Sequence, residues 1–324
     1  MDEKQDLMDL MICRIPELKG RERIELQKRF DREEDFSLLS VRGLEEILGR
    51  AFKDPSWTMS QIRCLAEKDA DAARKKGICQ VSWREKAYPP LLREIYDPPA
   101  ILFYLGVLPN PEKPLVAVVG TRKPSSAAAA RAFELGRELA EAGIPVVSGL
   151  ALGIDAMAHR GNIEGKAPTV AILGCGVDQV YPSSNRNLAR RILETGGAII
   201  SEYPVGTGPY KGNFPARNRI ISALARGTLI VEAPEKSGAL ITARFALDQD
   251  RDLWLDKAGL TSKRGKGMAR LAEDGAVVIS SVRDILAEWN LASPDDKEGG
   301  RDKRQGAALA SSLAEYLDIN LKGI

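Results

Sequence analysis

Histidine and cysteine are scarce in this 324-residue chain, which has one histidine, His159, and four cysteines. The cysteines lie far apart and no two form a C-x-x-C pair, so neither a zinc ribbon nor a disulfide framework is readable. A single histidine excludes a His-rich metal site and any mechanism that needs two histidines. We therefore expect no metal ion.

Long apolar runs are also missing. The longest, near residues 169–177, is about half the length of a membrane span and contains glycine. The amino-terminal MDEKQDLMDL is acidic and lacks the basic and apolar segments of a secretory signal. Together with 44% hydrophobic and 28% charged residues, these features predict a cytoplasmic globular protein that does not enter a membrane.

Two phosphate-binding signatures are absent as well. The GTRKPS that follows the first predicted core strand lacks the second and third glycines of G-x-G-x-x-G, and the chain has no G-x-x-x-x-G-K-[ST]. These absences disfavour a bound dinucleotide and P-loop ATP hydrolysis, so we expect no cofactor.

The chain divides into three parts. Residues 1–85 show apolar residues at helical spacing and a hint of helix-hairpin-helix in VRGLEEIL (41–48), which predicts a small all-helical domain of SAM or helix-hairpin-helix type. Residues 86–290 form the main domain. Residues 291–324 read as a polar linker and a short helical tail, too short for a winged-helix module.

The main domain alternates short β-rich runs with amphipathic or Ala-rich stretches, which predicts an α/β fold with a doubly wound, mostly parallel sheet. After a lead-in strand at Ile101–Leu105, the predicted strands are 115–119, 144–148, 169–173, 198–201, 228–232, 252–255 and 276–280.

Ligands of such sheets bind at the carboxyl ends of the strands, near the point where the strand order reverses. The turns that follow five successive strands there carry glycine, serine or threonine in GTRKPS, SGLALGID, GCGVD and EAPEKSGALITA, and basic residues in KGNFPARNR. Glycine allows close approach of the backbone, and free N–H groups at helix starts attract anions. The sequence therefore predicts an anion site at this edge.

A basic stretch suggests which anion. Four cations and no acidic residue occur between Pro204 and Arg226, and Phe214 lies beside Lys211. This pattern fits a groove that follows a run of phosphates and offers a ring for a base. The alternatives are a solvated helix face for the charges and a core position for Phe214.

Several linked motifs resemble the DprA/Smf family of DNA-processing proteins. They run from about Tyr88 to Val278 and include VVGTRKPS, SGLALGIDAMAH, YPSSN, ISEYP, NFPARNRIISAL and VEAPEKSGALITA. The resemblance implies an extended Rossmann-like domain that binds single-stranded DNA, dimerises, protects incoming DNA and helps load the RecA recombinase during natural transformation. It implies no enzymatic activity.

The resemblance also implies roles for individual residues. Arg122 is expected to contact a DNA phosphate, and Lys211 and Phe214 are expected to contact backbone and base. Arg217 and Arg219 match the family's RNR motif, although one of the two is as well explained by pairing with Glu202 or Glu232. The remaining expected contributors to the DNA groove are Gly120, Thr121, Ser125, Ser148, Gly149, Gly153, Asn213, Ser237 and Gly238.

Asp155 and His159 lie at i and i+4 of one helix. They form either an acid–base pair or a structural unit in which Asp155 caps the helix or holds His159. We favour the structural role because no nucleophile or metal motif accompanies them. The alternative function is a Rossmann-like nucleotide-processing enzyme of the nucleoside monophosphate hydrolase type, in which Glu232 would serve as the catalytic carboxylate.

Overall fold

The computed structural model of the chain describes residues 3–292. Its described residues divide into two units, the first ending at Asp284 and the second beginning at Ile285. The linker and tail expected at 291–324 lie, apart from the first two residues, outside the described residues.

Five helices begin the first unit: α1 (Glu3–Arg14), α2 (Gly20–Arg29), α3 (Glu33–Ser37), α4 (Val41–Leu48) and α5 (Met59–Lys76). Local signals set their ends. The Thr58 side chain accepts from the Gln61 amide at the start of α5, and Gly77 ends that helix at φ 63°. Their shared apolar core includes Met8, Met11, Leu26, Phe36, Leu44 and Ile62.

The sheet has nine strands: β1 (Cys79–Ser82), β2 (Ile101–Gly106), β3 (Val116–Val119), β4 (Val146–Ser148), β5 (Val170–Ile172), β6 (Ala198–Ser201), β7 (Gly227–Ile230), β8 (Asp252–Asp256) and β9 (Val277–Ile279). Their order is β1-β2-β6-β5-β4-β3-β7-β8-β9. Strands β3 to β9 pair in parallel, whereas β1 and β2 join antiparallel. The predicted α/β, mostly parallel fold is confirmed.

Strand β1 lies within the range that the sequence predicts to be helical. Its four residues, CQVS, are too few and too polar to show a clear alternation, and they follow directly after the Gly77 helix stop. The division of the chain at residue 85 stays a prediction.

The main-domain helices are α6 (Pro90–Arg93), α7 (Ser126–Glu141), α8 (Ile154–Glu164), α9 (Arg186–Glu194), α10 (Asn213–Leu224), α11 (Ala239–Asp248), α12 (Lys257–Leu260), α13 (Lys266–Glu273) and α14 (Val282–Glu288). Helix α7 packs on α8, and α10 packs on α11. Right-handed crossovers place these two pairs on opposite faces of the sheet. Within residues 3–292, no helix is both long and apolar enough to cross a bilayer.

Candidate nucleic-acid interface

The strand order reverses between β3 and β7, which pair in parallel with Val119 opposite Ile230. The loops that leave these two strands therefore run side by side, at the place where ligands of open α/β sheets bind. A cleft of about 350 Å³ lies there, and the middle of α10 completes it with Arg217, Asn218 and Ile221. Among the residues that line it are Gly120, Thr121, Arg122, Asn218, Ser237 and Gly238.

The loop after β3 is a tight turn that presents Arg122. The Thr121 amide donates to the Glu232 carbonyl at 2.7 Å, and the Ile154 amide donates to the Thr121 carbonyl at 3.3 Å. A Cβ on Gly120 would come within 2.5 Å of the Ile154 side chain, so only glycine fits. Arg122 is exposed beyond this turn and forms no ion pair with any described residue.

Ser125, expected at the DNA groove, has a partner within the chain. Both its amide and its hydroxyl donate to the Glu232 carboxylate, at 2.9 and 3.0 Å, and the Ser262 hydroxyl donates to the same group at 2.8 Å. Glu232 is fully buried. An internal carboxylate thus holds the amino terminus of α7, where an anion would otherwise be favoured.

This arrangement has a consequence for the alternative function. Two serine residues occupy both oxygens of the Glu232 carboxylate, which does not reach the surface of the cleft. In this structure the Glu232 carboxylate is engaged by the chain's own serines, and the structural role that the sequence analysis favours for it stays a prediction.

The loop after β4 shapes the edge from within. Ser148 is buried and its hydroxyl donates to the Val118 carbonyl at 2.7 Å. This side chain is therefore not exposed at the surface, where a DNA strand would bind. The Gly149 amide donates to Asp155 at 3.0 Å. Gly153 adopts φ 80°, which favours glycine, and leads directly into α8.

The buried side chain of Arg217 connects the loop after β4 to the end of β5. It is 4% exposed, and its guanidinium donates to the Gly149 carbonyl at 3.0 Å and to the Ile172 carbonyl. Burial lowers its pKa to about 10, against the opposing charge of buried Asp155. The partners of the Arg217 guanidinium within the chain are thus backbone carbonyls, and a contact of this residue with DNA stays a prediction.

Arg219 forms a bidentate ion pair with Glu202, at 2.6 and 2.7 Å, and donates to the Asp97 carbonyl at 2.9 Å. Burial alone would lower its pKa, but the hydrogen bonds and charge of Glu202 raise it above the ordinary value. Of the two predicted carboxylate partners for an arginine of the RNR motif, the structure selects Glu202.

Asp155 and His159, for which the sequence leaves helix capping or a mutual contact open, each have a different hydrogen-bond partner. His159 is fully buried, and its Nδ1 lies 2.8 Å from the Thr169 hydroxyl, which itself donates to the Val146 carbonyl. Nδ1 is therefore the donor. Burial lowers the His159 pKa to about 3 and raises that of Asp155. The hydrogen bonds of His159 and Asp155 thus go to Thr169 and Gly149, and the structural role of the two residues stays a prediction.

Asn213 and Phe214 are the first two residues of α10, and Lys211 lies two positions before that helix. Lys211 is exposed without an ion pair to any described residue, and the Asn213 amide donates to the Tyr210 carbonyl at 3.0 Å. The half-buried ring of Phe214 lies 5.3 Å from the Tyr181 ring, centroid to centroid, and the Arg122 guanidinium carbon lies 5.8 Å from the Phe214 centroid. Three separate loops thus meet around one aromatic ring.

The loop after β7 closes the cleft. The Ser237 hydroxyl accepts from the Ala239 amide at 3.3 Å, and the Gly238 carbonyl accepts from the Asn218 side chain at 3.3 Å. Lys236 is exposed here and has no ion pair among the residues described. Sequence reasoning missed Lys236 and Tyr181, although both lie in strand-end motifs; a search for exposed cations and aromatics in all such loops would have found them.

No group of three or more His, Cys, Asp or Glu side chains between residues 3 and 292 is placed to hold a metal ion. The chemistry available at this edge is thus that of exposed cations, aromatic rings and backbone groups.

Residues 80–290 match the family model of DNA recombination-mediator protein A. Protein Smf of Synechocystis sp. is 45% identical over 62% of the chain and 51% of its own length, so the chain spans about half of that relative. The X-ray structure of DNA processing protein A from Streptococcus pneumoniae superposes with a TM-score of 0.69 at 31% identity, covering 88% of the chain and 95% of its own. A DNA processing protein A from Helicobacter pylori, studied for its single-stranded DNA binding mode, superposes with a TM-score of 0.59 at 31% identity over 66% of the chain and 95% of its own.

Proposed function

The chain belongs to the DNA recombination-mediator protein A family, and on that premise we propose that it binds single-stranded DNA along the carboxyl edge of its parallel sheet. The binding surface is the basic–aromatic edge, which we define as Arg122, Lys211, Lys236, Phe214 and Tyr181. The structure of the H. pylori relative, which concerns a single-stranded DNA binding mode, supports this assignment.

One observation carries the proposal: three exposed cations without an ion pair among the described residues lie on loops at the same sheet edge as two neighbouring aromatic rings, which are tilted by 39° with centroids 5.3 Å apart. Unpaired cations follow a phosphate backbone, and exposed rings stack on unpaired bases without regard to sequence. A duplex keeps its bases stacked inside, so the rings favour a single strand.

The other residues of the site support this surface from beneath. Three buried charged side chains form hydrogen bonds to the loops that carry the edge: Glu232, Arg217 and Asp155. The buried charged groups already have hydrogen-bond partners in the chain, whereas the exposed cations have no ion pair among the described residues. Such a site can bind an anion but presents no carboxylate for catalysis. This supports a binding protein over a nucleotide-processing enzyme.

The wider role follows from the family. We propose that the protein acts in the cytoplasm as a homodimer, protects incoming DNA and helps load a RecA-type recombinase onto it during natural transformation. The family's description as a recombination mediator supports this role.

Fluorescence anisotropy with labelled oligonucleotides, single- and double-stranded, tests the binding over a salt series. For a single strand, log affinity should fall against log salt with a slope of about −0.7 per neutralised phosphate. We expect Arg122→Ala and Lys211→Ala each to weaken binding and to reduce that slope by about 0.7.

Lys68→Ala is the matched control, because Lys68 is an exposed cation on α5 without an ion pair to a described residue. It should leave both affinity and slope unchanged. Wild-type binding by both edge variants, or equal binding of duplex, would show that this surface does not hold the strand.

A further inference from the structure

A second cavity, of about 580 Å³, lies between α2 and the sheet and shares no lining residue with the cleft at the basic–aromatic edge. Residues of α2, the chain just before β2, the end of β6 and one side of α10 and α11 line it. Its volume falls within the range usual for small-molecule sites, about 300–1,000 Å³.

Arg23 is the unusual cation of this cavity. Its side chain is half-buried and has neither an ion pair nor a hydrogen bond to any described residue, and its Nε is buried without an acceptor. Buried donors in native proteins nearly always have an acceptor, so each exception calls for an explanation. Lys19, which lines the same cavity, likewise has no ion pair within the described part of the chain.

The acidic residues of the cavity do not neutralise Arg23. Glu202 and Asp97 both line it, but Arg219 already engages each of them, at 2.6 Å and 3.3 Å. Arg23 and Lys19 therefore remain for a ligand, as does Arg21, which also lines the cavity and contacts Tyr96 without an ion pair among the described residues. The buried ion pair forms part of the wall. This balance of charge favours an anion.

The remaining wall is aromatic and apolar. Tyr96, Tyr203 and Phe245 line the cavity together with Leu18 and Ile101. Tyr96 is 75% exposed, and the Arg21 guanidinium lies 3.4 Å from its ring centroid. Such rings provide flat surfaces on which a planar group stacks.

We propose that this cavity binds a nucleoside monophosphate, with the phosphate held by Arg23 and Lys19 and the base among the aromatic side chains. The same chemistry is present in a free nucleotide and in the terminal nucleotide of a DNA strand. The site does not depend on the proposed DNA interface, and the two can be tested separately.

Isothermal titration calorimetry of the full chain with adenosine 5′-monophosphate measures the binding, and adenosine and inorganic phosphate titrated alone measure each half. We expect saturable binding of the nucleotide and at least tenfold weaker binding of either half. Arg23→Gln should weaken nucleotide binding at least tenfold, because a charge-assisted contact to phosphate is lost. Arg29→Gln, the same change at an exposed position of α2, should have no effect.

Tyr96→Ala provides a second variant whose fold is not at risk, because that side chain is largely exposed; it should weaken binding several-fold. Arg122→Ala should leave nucleotide binding unchanged, which separates this site from the DNA interface. A 5′-phosphorylated oligonucleotide that displaces the nucleotide identifies the DNA end as the source, and one that does not identifies the free nucleotide.

The proposal is overturned if the nucleotide does not bind saturably or if Arg23→Gln behaves as Arg29→Gln does. Phosphate alone binding as tightly as the nucleotide would reduce the cavity to a simple anion site. Loss of nucleotide binding in Arg122→Ala would place the nucleotide in the DNA cleft instead.

Discussion

Replacing Glu232 should show that the chain itself fills the anion position at the start of α7. This fully buried carboxylate accepts three hydrogen bonds, two from Ser125 and one from Ser262. Hydrogen bonds to a charged group contribute about 1.5–3 kcal/mol each, which gives a gross range of about 4.5–9 kcal/mol. Both serines are half-buried, so water replaces part of this in a variant. We expect Glu232→Ala to lower the free energy of unfolding by about 3–5 kcal/mol.

Two further variants test the geometry. Glu232→Gln keeps an oxygen for the two serine hydroxyls but places an NH₂ against the Ser125 amide, so we expect a loss of about 1.5–3 kcal/mol. Ser262→Ala removes a single bond and should cost about 1–1.5 kcal/mol. Because Glu232 and Ser262 are in contact, the double variant should show a coupling of about 0.5–3 kcal/mol.

Urea unfolding followed by tryptophan fluorescence measures these differences from the transition midpoints. The binding assay is the companion measurement, since a purely structural carboxylate leaves single-strand affinity within about twofold in the folded Gln variant. Unfolding free energies of Glu232→Gln and Ser262→Ala within about 0.5 kcal/mol of wild type would refute the reasoning. So would a large loss of DNA affinity at unchanged stability.

Three other outcomes follow from the structure. Arg219→Met leaves Glu202 unpaired and should cost about 3–5 kcal/mol in urea unfolding, part of which Glu202→Gln in the same chain should restore. Burial lowers the pKa of His159 to about 3. In the unfolded chain the imidazole has its ordinary pKa of about 6.5, so below that pH the unfolded chain binds a proton that the folded chain does not, and unfolding is favoured. The contribution of His159 to stability is complete above that value and falls by about 2 kcal/mol between pH 7.5 and pH 5.0, a slope that urea titrations of His159→Gln should lack. Phe214→Ala should weaken binding of poly-dT and poly-dA alike by about 1–3 kcal/mol in anisotropy, and a loss confined to one base would contradict stacking.

The fold was predictable because its strands are buried on both faces. Runs such as LVAVV and AIIS signal themselves by composition, and the structure places strands at 116–119 and 198–201 within them. Strand β1 gave no such signal because its identity depends on pairing with β2, where Val81 lies opposite Leu102. A four-residue strand is defined by its partner more than by its own residues.

The site was predictable in location but not in the assignment of its charges. Glycines and cations at strand ends marked the edge, since the topology of a parallel sheet brings those turns together. What composition does not show is which donors the chain itself satisfies. Ser125 meets Glu232 across 107 positions, and Arg217 meets Gly149 across 68. Only the folded structure shows that Ser125 and Arg217 have partners within the chain, whereas Arg122 has no ion pair among the described residues.

The antiparallel addition of β2 to the far side of β6 bears on how the chain is made. Phe103 pairs with Ser201, and these residues are 201 − 103 = 98 positions apart. At a synthesis rate of about 5–20 residues per second, the apolar β2 waits roughly 5–20 s for its partner strand to leave the ribosome. The amino-terminal helices, whose core is continuous with Ile101 and Phe103, are already synthesised by then. They therefore cover apolar residues of β2, and β1 pairs with one edge of that strand, which leaves a single edge open to pairing with other chains while the sheet is incomplete.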